Sequence, residues 1–180
     1  MDRLRIVLCL LVSVWILIGC RESMDTSLLQ PYLGPISTVY DVDLVHSDSA
    51  IVRIRMEARK QLDFEDGNRE FPEGIFIRFY DENGKMTSTI RADVGYYDRN
   101  ANLYRGVGDV QVENIEKEQR LNTEELFWDP TAKKIFTEKF VTIREGETFL
   151  QGTGMDAKDD FSEYTIYKIS DGRTILPEDS

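Results

Sequence analysis

The stretch Ala92-Asp93-Val94-Gly95-Tyr96-Tyr97-Asp98 decides the fold, because Thr123-Glu124-Glu125-Leu126-Phe127-Trp128-Asp129 repeats its pattern 31 residues later. Both copies read small, acidic, two variable positions, two aromatics and Asp. The register then holds, with Tyr104 falling on Ile135, Val110 on Val141 and Val112 on Ile143. A fixed period of this kind is what stacked supersecondary units leave in a sequence. Each unit reads as strand, Asp-containing turn, strand. Gly152 to Ala157, followed by Tyr164-Thr-Ile-Tyr167, is a looser third copy. The chain is expected to be a ladder of β-hairpins.

Strand patterning extends outward from this repeat. Tyr40, Val42, Leu44 and His46 share one parity, and Val52, Ile54, Met56 and Ala58 share another across the turn Ser47-Asp48-Ser49. Such period-2 alternation predicts an antiparallel hairpin with one buried face. Leu62 to Glu73 is charged, contains Gly67, Asn68 and Pro72, and reads as a loop. Gly74 to Tyr80 reads as a strand with Ile75, Ile77 and Phe79 inward, turned by Asp81-Glu-Asn-Gly84 into a return over Lys85 to Asp93. Asp98-Arg-Asn-Ala-Asn and Asp129-Pro-Thr-Ala-Lys are hairpin turns, Gly106-Val-Gly108 a bulge or kink, and Glu145-Gly-Glu a short turn. Asp156 to Ser162 is polar, Tyr164 to Ile169 is a last strand, and the acidic stretch from Asp171 to Ser180 is expected to fray. Apolar residues at helical spacing are lacking, so the fold class is all-β, with strands of ~5–7 residues in a sandwich or jelly roll.

The N-terminus carries a different signal. Arg3 and Arg5 precede an apolar run from Ile6 to Ile18, broken by Ser13. That length suits a signal-peptide core and falls short of the ~20 residues of a membrane-spanning helix. Leu17-Ile18-Gly19-Cys20 follows, a small residue before a cysteine with a bulky residue three before the cut. This is the requirement of a lipoprotein signal peptidase. Residues 1–19 are therefore expected to be cleaved and Cys20 acylated, with residues 20–35 as a tether and the domain over 36–170. Cys9 would leave with the leader, so the mature chain has no disulfide. It keeps 22 − 2 = 20 basic and 33 − 1 = 32 acidic residues, a net charge near −12. That balance, without a basic patch, excludes nucleic acid as a partner.

Catalytic and cofactor chemistry has little to build on. His46 is the one histidine and lies in a predicted strand, and zinc would lack His and Cys ligands. The adjacent pairs Glu124-Glu125 and Asp159-Asp160 would point to opposite faces of a strand, and no Gly-rich phosphate loop precedes a helix. The reading is of a non-enzyme without cofactor or metal. What remains is an interior, lined in the first hairpin by Leu44, Ile54 and Met56, and further on by Ile75, Ile77, Phe79 and Ile90. In the repeat units it is lined by Gly95, Tyr97, Val110, Val112, Leu126, Trp128, Val141 and Ile143. It is either an ordinary filled core or a trough for acyl chains, and the edge strands could pair with another protein.

Three runs carry a family resemblance: Ile90-Arg-Ala-Asp-x4-Asp98, Leu103-Tyr-Arg-Gly106-x-Gly-x-Val110-x-Val112 and Leu121-Asn-Thr-Glu-x-Leu-x-Trp128. With Val141-Thr-Ile-x3-Glu147-x4-Gly152-x-Gly154-Met and the start Asp43-Leu-Val45 to Ala58, the chain from about Tyr40 to Ile169 resembles LptC. That is a periplasmic component of lipopolysaccharide export, with motifs shared by LptA and the amino-terminal part of LptD. The resemblance implies a twisted β-jelly roll whose interior carries lipid A acyl chains, with Phe71 matching a position on the lipid path. It implies docking on the LptF/LptG permease, powered by the LptB ATPase, through the N-terminal edge. It implies transfer to LptA through the C-terminal edge at Tyr164, Ile166, Tyr167 and Ile169. Familiar members keep an uncleaved transmembrane helix where this chain ends its apolar run at Cys20. The family role favours lipid anchoring at the periplasmic face of the inner membrane. The alternative is a structural or adhesive β-lipoprotein with a filled core and no lipid cargo.

Overall fold

Alternation of apolar and polar side chains over most of the chain yields strands and no helix among the described residues. The computed structural model describes residues 32–173, so the leader, Cys20 and most of the tether lie outside them. Eleven strands follow in order: β1 Ser37–Asp48, β2 Ile51–Asp63, β3 Arg69–Phe71, β4 Ile75–Tyr80, β5 Met86–Ala92 and β6 Val94–Asp98. β7 Leu103–Asn114, β8 Gln119–Asp129, β9 Lys134–Glu145, β10 Thr148–Lys158 and β11 Tyr164–Arg173 complete the sheet. Every pairing is antiparallel, and neighbours in the sheet are mostly neighbours in the chain. The fold is an all-β jelly roll.

Hairpin chemistry fixes the register. Ser49 and Ala50 both take positive φ and turn β1 into β2, one residue beyond the turn expected from sequence. Asp81 Oδ1 accepts from the backbone N–H groups of Asn83 and Lys85 and closes the β4–β5 turn. The 31-residue repeat is a translation by two strands. Asp98 Oδ1 accepts from Asn100 and Ala101, and Asp129 Oδ1 accepts from Thr131 and Ala132 in the same way. The tips then touch through Asn102 Nδ2 and Thr131 Oγ1 at 2.9 Å. In the sheet, Tyr104 pairs with Trp128 and Trp128 with Ile135, so equivalent residues stand in one row. Asp160, a further 31 residues on, accepts from the Ser162 N–H in the third turn.

The strands are longer than the ~5–7 residues expected, because most of them bend in the middle rather than end. β3 and β4 behave as one strand broken at Pro72–Gly74, and β5 and β6 as one broken at Asp93. The break continues across the sheet through Gly108 and Asp109, both at positive φ, the register shift between Thr123 and Phe127, and Gly154 at φ +77°. Bulges bend strands and raise their twist. Here they fold one sheet onto itself. Phe79 on β4 and Trp128 on β8 are three strands apart, roughly 14 Å along the sheet, yet their ring centroids are 5.2 Å apart. At the crease, a Cβ on Gly95 would lie 2.9 Å from Ile75 Cγ2, and one on Gly106 would lie 2.9 Å from Ala92 Cβ. Two glycines side by side let the layers meet there.

Four expectations need correction. The segment from Leu62 to Glu73 is not all loop: β2 runs on to Asp63, and Arg69–Phe71 pairs with Tyr97, Tyr96 and Gly95 of β6. The first hairpin does not bury a full face, since Tyr40, Leu44 and His46 are exposed. β1 extends the sheet beyond the opposite layer, so alternation there has nothing to pack against. The polar stretch from Asp156 contains the end of β10, and its Phe161 is fully buried. β11 continues to Arg173 before the acidic end.

Candidate functional site

The interior is built from cross-strand rows. One apolar row runs unbroken from β1 to β10: Leu44, Met56, Ile77, Ile90, Val112, Leu121, Ile143, Leu150. Adjacent strands deliver these residues to one face because each register places an inward position opposite an inward position. From Met56 to Ile143 they are at most 4% exposed, whereas Leu44, on the edge strand, is 39% exposed. Leu150 is partly buried, and the row ends at Gly172 on β11. The apolar stripe therefore reaches the β1 margin and stops one strand short of the β11 margin.

The sequence-derived lining residues sort cleanly on this frame. Met56, Phe71, Ile75, Ile77, Phe79, Ile90, Val110, Val112, Leu126, Trp128, Val141 and Ile143 are buried. Ile54 and Tyr97 are partly buried and pack on that core, and Leu44 lies at the rim. Tyr97, Tyr104 and Trp128 form a stacked aromatic run with centroids 4.6 and 4.9 Å apart. Burial pushes the Tyr104 hydroxyl up, with neighbouring Tyr97 adding to the shift. Sequence reasoning missed Leu121, Ile135, Met155 and Phe161, all fully buried. Ile135 was within reach, since it continues the parity of Val141 and Ile143. Leu121 is out of parity with Leu126 and Trp128, because β8 shifts register between Thr123 and Phe127. Phe161 had no periodic signal.

The layers are closed on one another. A void of about 20 Å³, bordered by Ile75, Ile77, Ile90, Tyr104, Leu126 and Trp128, lies between them. That is room for about one water. A wider groove of about 620 Å³ opens where β3 gives way to β4, floored by Val42, Ala58, Ile75 and Ala92 and rimmed by charges including Asp43, Glu57, Arg59 and Arg91. The outer surface carries charge ladders such as Arg55–Asp43 at 2.6 Å, Arg78–Glu57 at 2.8 Å and Arg91–Asp109 at 2.7 Å. Hydrogen bonding to Arg55 holds the Asp43 carboxyl below the usual range, and bonds from Gln111 and Arg91 do so for Asp109. Such surface pairs add little stability. They keep the outer face polar.

The edges are free. β1 pairs only with β2, and β11 only with β10, among the described residues. On β1, Val39, Tyr40 and Val45 are exposed, and on β11, Tyr167 and Ile169 are 59% and 64% exposed. Tyr164 and Ile166 turn inward and pack on the core. An unpaired strand with apolar side chains is a template for another strand. His46 is exposed on β1, and no group of three or more His, Cys, Asp or Glu among the described residues is placed to hold a metal ion.

These features define a class: a bent antiparallel jelly roll with two unpaired edges and an apolar seam that spans the sheet from β1 to β10. The chain belongs to the LptC-related family of lipopolysaccharide-assembly proteins, whose family model matches residues 37–174. No curated protein matched it in sequence. Membership places the chain among periplasmic components of lipopolysaccharide transport. The matched span covers all eleven strands, so the family and the roll coincide.

Proposed function

We propose that the protein is one segment of a lipopolysaccharide conduit between membranes. It accepts cargo from the LptF/LptG permease, driven by the LptB ATPase, and passes it to LptA. The observation that carries this reading is the apolar row from Leu44, on the free edge strand β1, to Leu150 on β10, one strand short of the free edge β11. Lipid acyl chains would lie along it with the sugar outside, and burial of chains at ~0.8 kcal/mol per methylene would set affinity. The closed interior requires the layers to part as cargo enters. The chain contributes no catalysis in this scheme, since work comes from the ATPase.

The edges supply the partners. β1 would extend the sheet of the permease, and β11, with Tyr167 and Ile169 outward, would pair with LptA strand to strand. Cleavage before Cys20 and its acylation would hold the roll at the periplasmic face of the inner membrane, with residues 20–35 as tether. Photocrosslinkers at Val45 and at Ile169 test this directly. Val45 should capture permease and Ile169 should capture LptA, whereas capture of neither at either edge would contradict the assignment.

A further inference from the structure

Among the buried apolar residues described, Phe161 alone lies outside a strand. It is fully buried in the turn between β10 and β11, with its ring on Tyr164 at 5.5 Å and its backbone at φ +54°. A bulky residue in the left-handed region is a backbone outlier. Such strain persists only where the surroundings over-determine it, and it gathers at clamps and switches.

What holds the turn is polar. Ser88, Asn114 and Gln119 are successive neighbours in one cross-strand row and are at most 6% exposed. Ser88 Oγ donates to the Asp159 carbonyl and Asn114 Nδ2 to the Asp160 carbonyl, each at 3.0 Å, and Lys117 Nζ reaches the Ser162 carbonyl. The third member of the row is unfinished, since Gln119 Oε1 has no partner. Hydrogen bonds exchanged for water cost little net free energy, whereas separating apolar layers costs the full transfer term. The molecule thus closes its interior with a hydrogen-bonded joint, and one phenyl ring sits behind it.

We propose that the turn Asp159–Glu163 is an acyl-chain gate, in which the Phe161 phenyl fills, in the empty protein, the space that a cargo hydrocarbon takes when the turn lifts. This rests on the conduit reading above. The void of about 20 Å³ between the layers cannot admit a lipid chain, so room must be made as the layers part, most readily where a buried side chain is free to move aside. Strand residues cannot leave without breaking a ladder. Phe161 can, because its turn is tied to the rest of the protein by the side chains of Ser88, Asn114 and Lys117 and by one backbone bond, Asp159 N–H to the Lys133 carbonyl. Its departure relieves the backbone strain. A hydrocarbon chain is the matching occupant, since Phe161 belongs to the apolar core cluster and lies behind a polar row.

The test uses the full-length protein with 4-fluorophenylalanine at position 161, titrated with rough lipopolysaccharide and followed by fluorine NMR. Lipid capture by a photocrosslinker at Phe79 reports binding in parallel samples. The buried resonance should move to a solvent-exposed position as the adduct forms. Phe161→Gly suits the left-handed backbone and removes the plug, so lipopolysaccharide should bind on the order of tenfold more tightly. Ser88→Ala keeps the phenyl and loses one tie, so its resonance should move at lower lipopolysaccharide concentration even if the glycine variant folds poorly. Lipid capture with an unmoved fluorine signal would overturn the gate and leave the conduit standing. No lipid capture in any variant would overturn both.

Discussion

Leu44 and Leu150 stand near opposite ends of one cross-strand row, with six apolar residues between them and no polar interruption. Interiors of closed sandwiches end in covered edges. This one ends at a leucine left 39% exposed at the first margin. The relationship links fold to function, because a lipid chain moving between proteins needs an apolar path that does not stop at the module boundary.

Leu44→Arg separates the path from the fold. Leu44 sits at the rim, 39% exposed, where an arginine stem can cover the same surface with its charge in water. Unfolding free energy should therefore fall by only about 1 kcal/mol. Lipopolysaccharide passage should nonetheless fall strongly, because a guanidinium would sit at the entrance of the row. Urea denaturation and lipid capture downstream check the two halves, and unimpaired passage would remove the rim from the path.

Gly152→Ala should weaken the last strand. An added Cβ would lie 2.4 Å from Ile166 Cγ2 and 2.5 Å from the Lys168 carbonyl oxygen. Since one of those neighbours is backbone, β11 must shift. The expected loss is about 1–3 kcal/mol, read as a lower urea midpoint, with hydrogen exchange rising first over residues 164–173. Uniform exchange across the roll would contradict a local effect at that edge.

Asp98→Ala and Asp129→Ala should cost similar amounts, about 1 kcal/mol each. Each carboxylate accepts two backbone N–H bonds in the same geometry. Clearly unequal losses in thermal unfolding would show that the repeat is one of pattern and not of energetics.

These turns were legible in the sequence because their chemistry is local: an Asp, its next few N–H groups and a left-handed residue. The alternation of Ile75, Ile77 and Phe79 was legible for the same reason, and all three are at most 6% exposed. Alternation tells which face a side chain takes. It does not tell how far the opposite layer extends, which is why Tyr40, Leu44 and His46 read as buried. Arg69-Glu70-Phe71 is too short to show a period, and only its pairing with β6 makes it a strand. Phe161 is buried by groups 71 and 46 residues before its flanking carbonyls, a separation no local pattern records. The row from Leu44 to Leu150 likewise appears only when registers are joined.

Asp159 gives a pH signature. Burial raises its carboxyl above the ordinary value, neighbouring Asp160 adds to this, and the Trp128 indole and Lys133 oppose it. A raised folded value means that the protonated form favours folding. That contribution is complete below the unfolded value and is lost as pH rises through the folded one. Asp159→Asn should therefore be more stable than the parent at neutral pH, with the difference vanishing as pH falls below the unfolded carboxylate value. Chemical denaturation across that range checks it, and a difference that persisted in acid would assign the effect to packing.

The central claim is that lipopolysaccharide travels inside the roll. A photocrosslinking residue at Phe79, buried between the layers, should form a lipopolysaccharide adduct in cells that depends on ATP. Arg55, on the outer face with its side chain paired to Asp43, should form none. An adduct at Phe79 alone is the predicted result; a folded protein that yields no adduct at either position would contradict the account and leave a structural β-protein with a filled core.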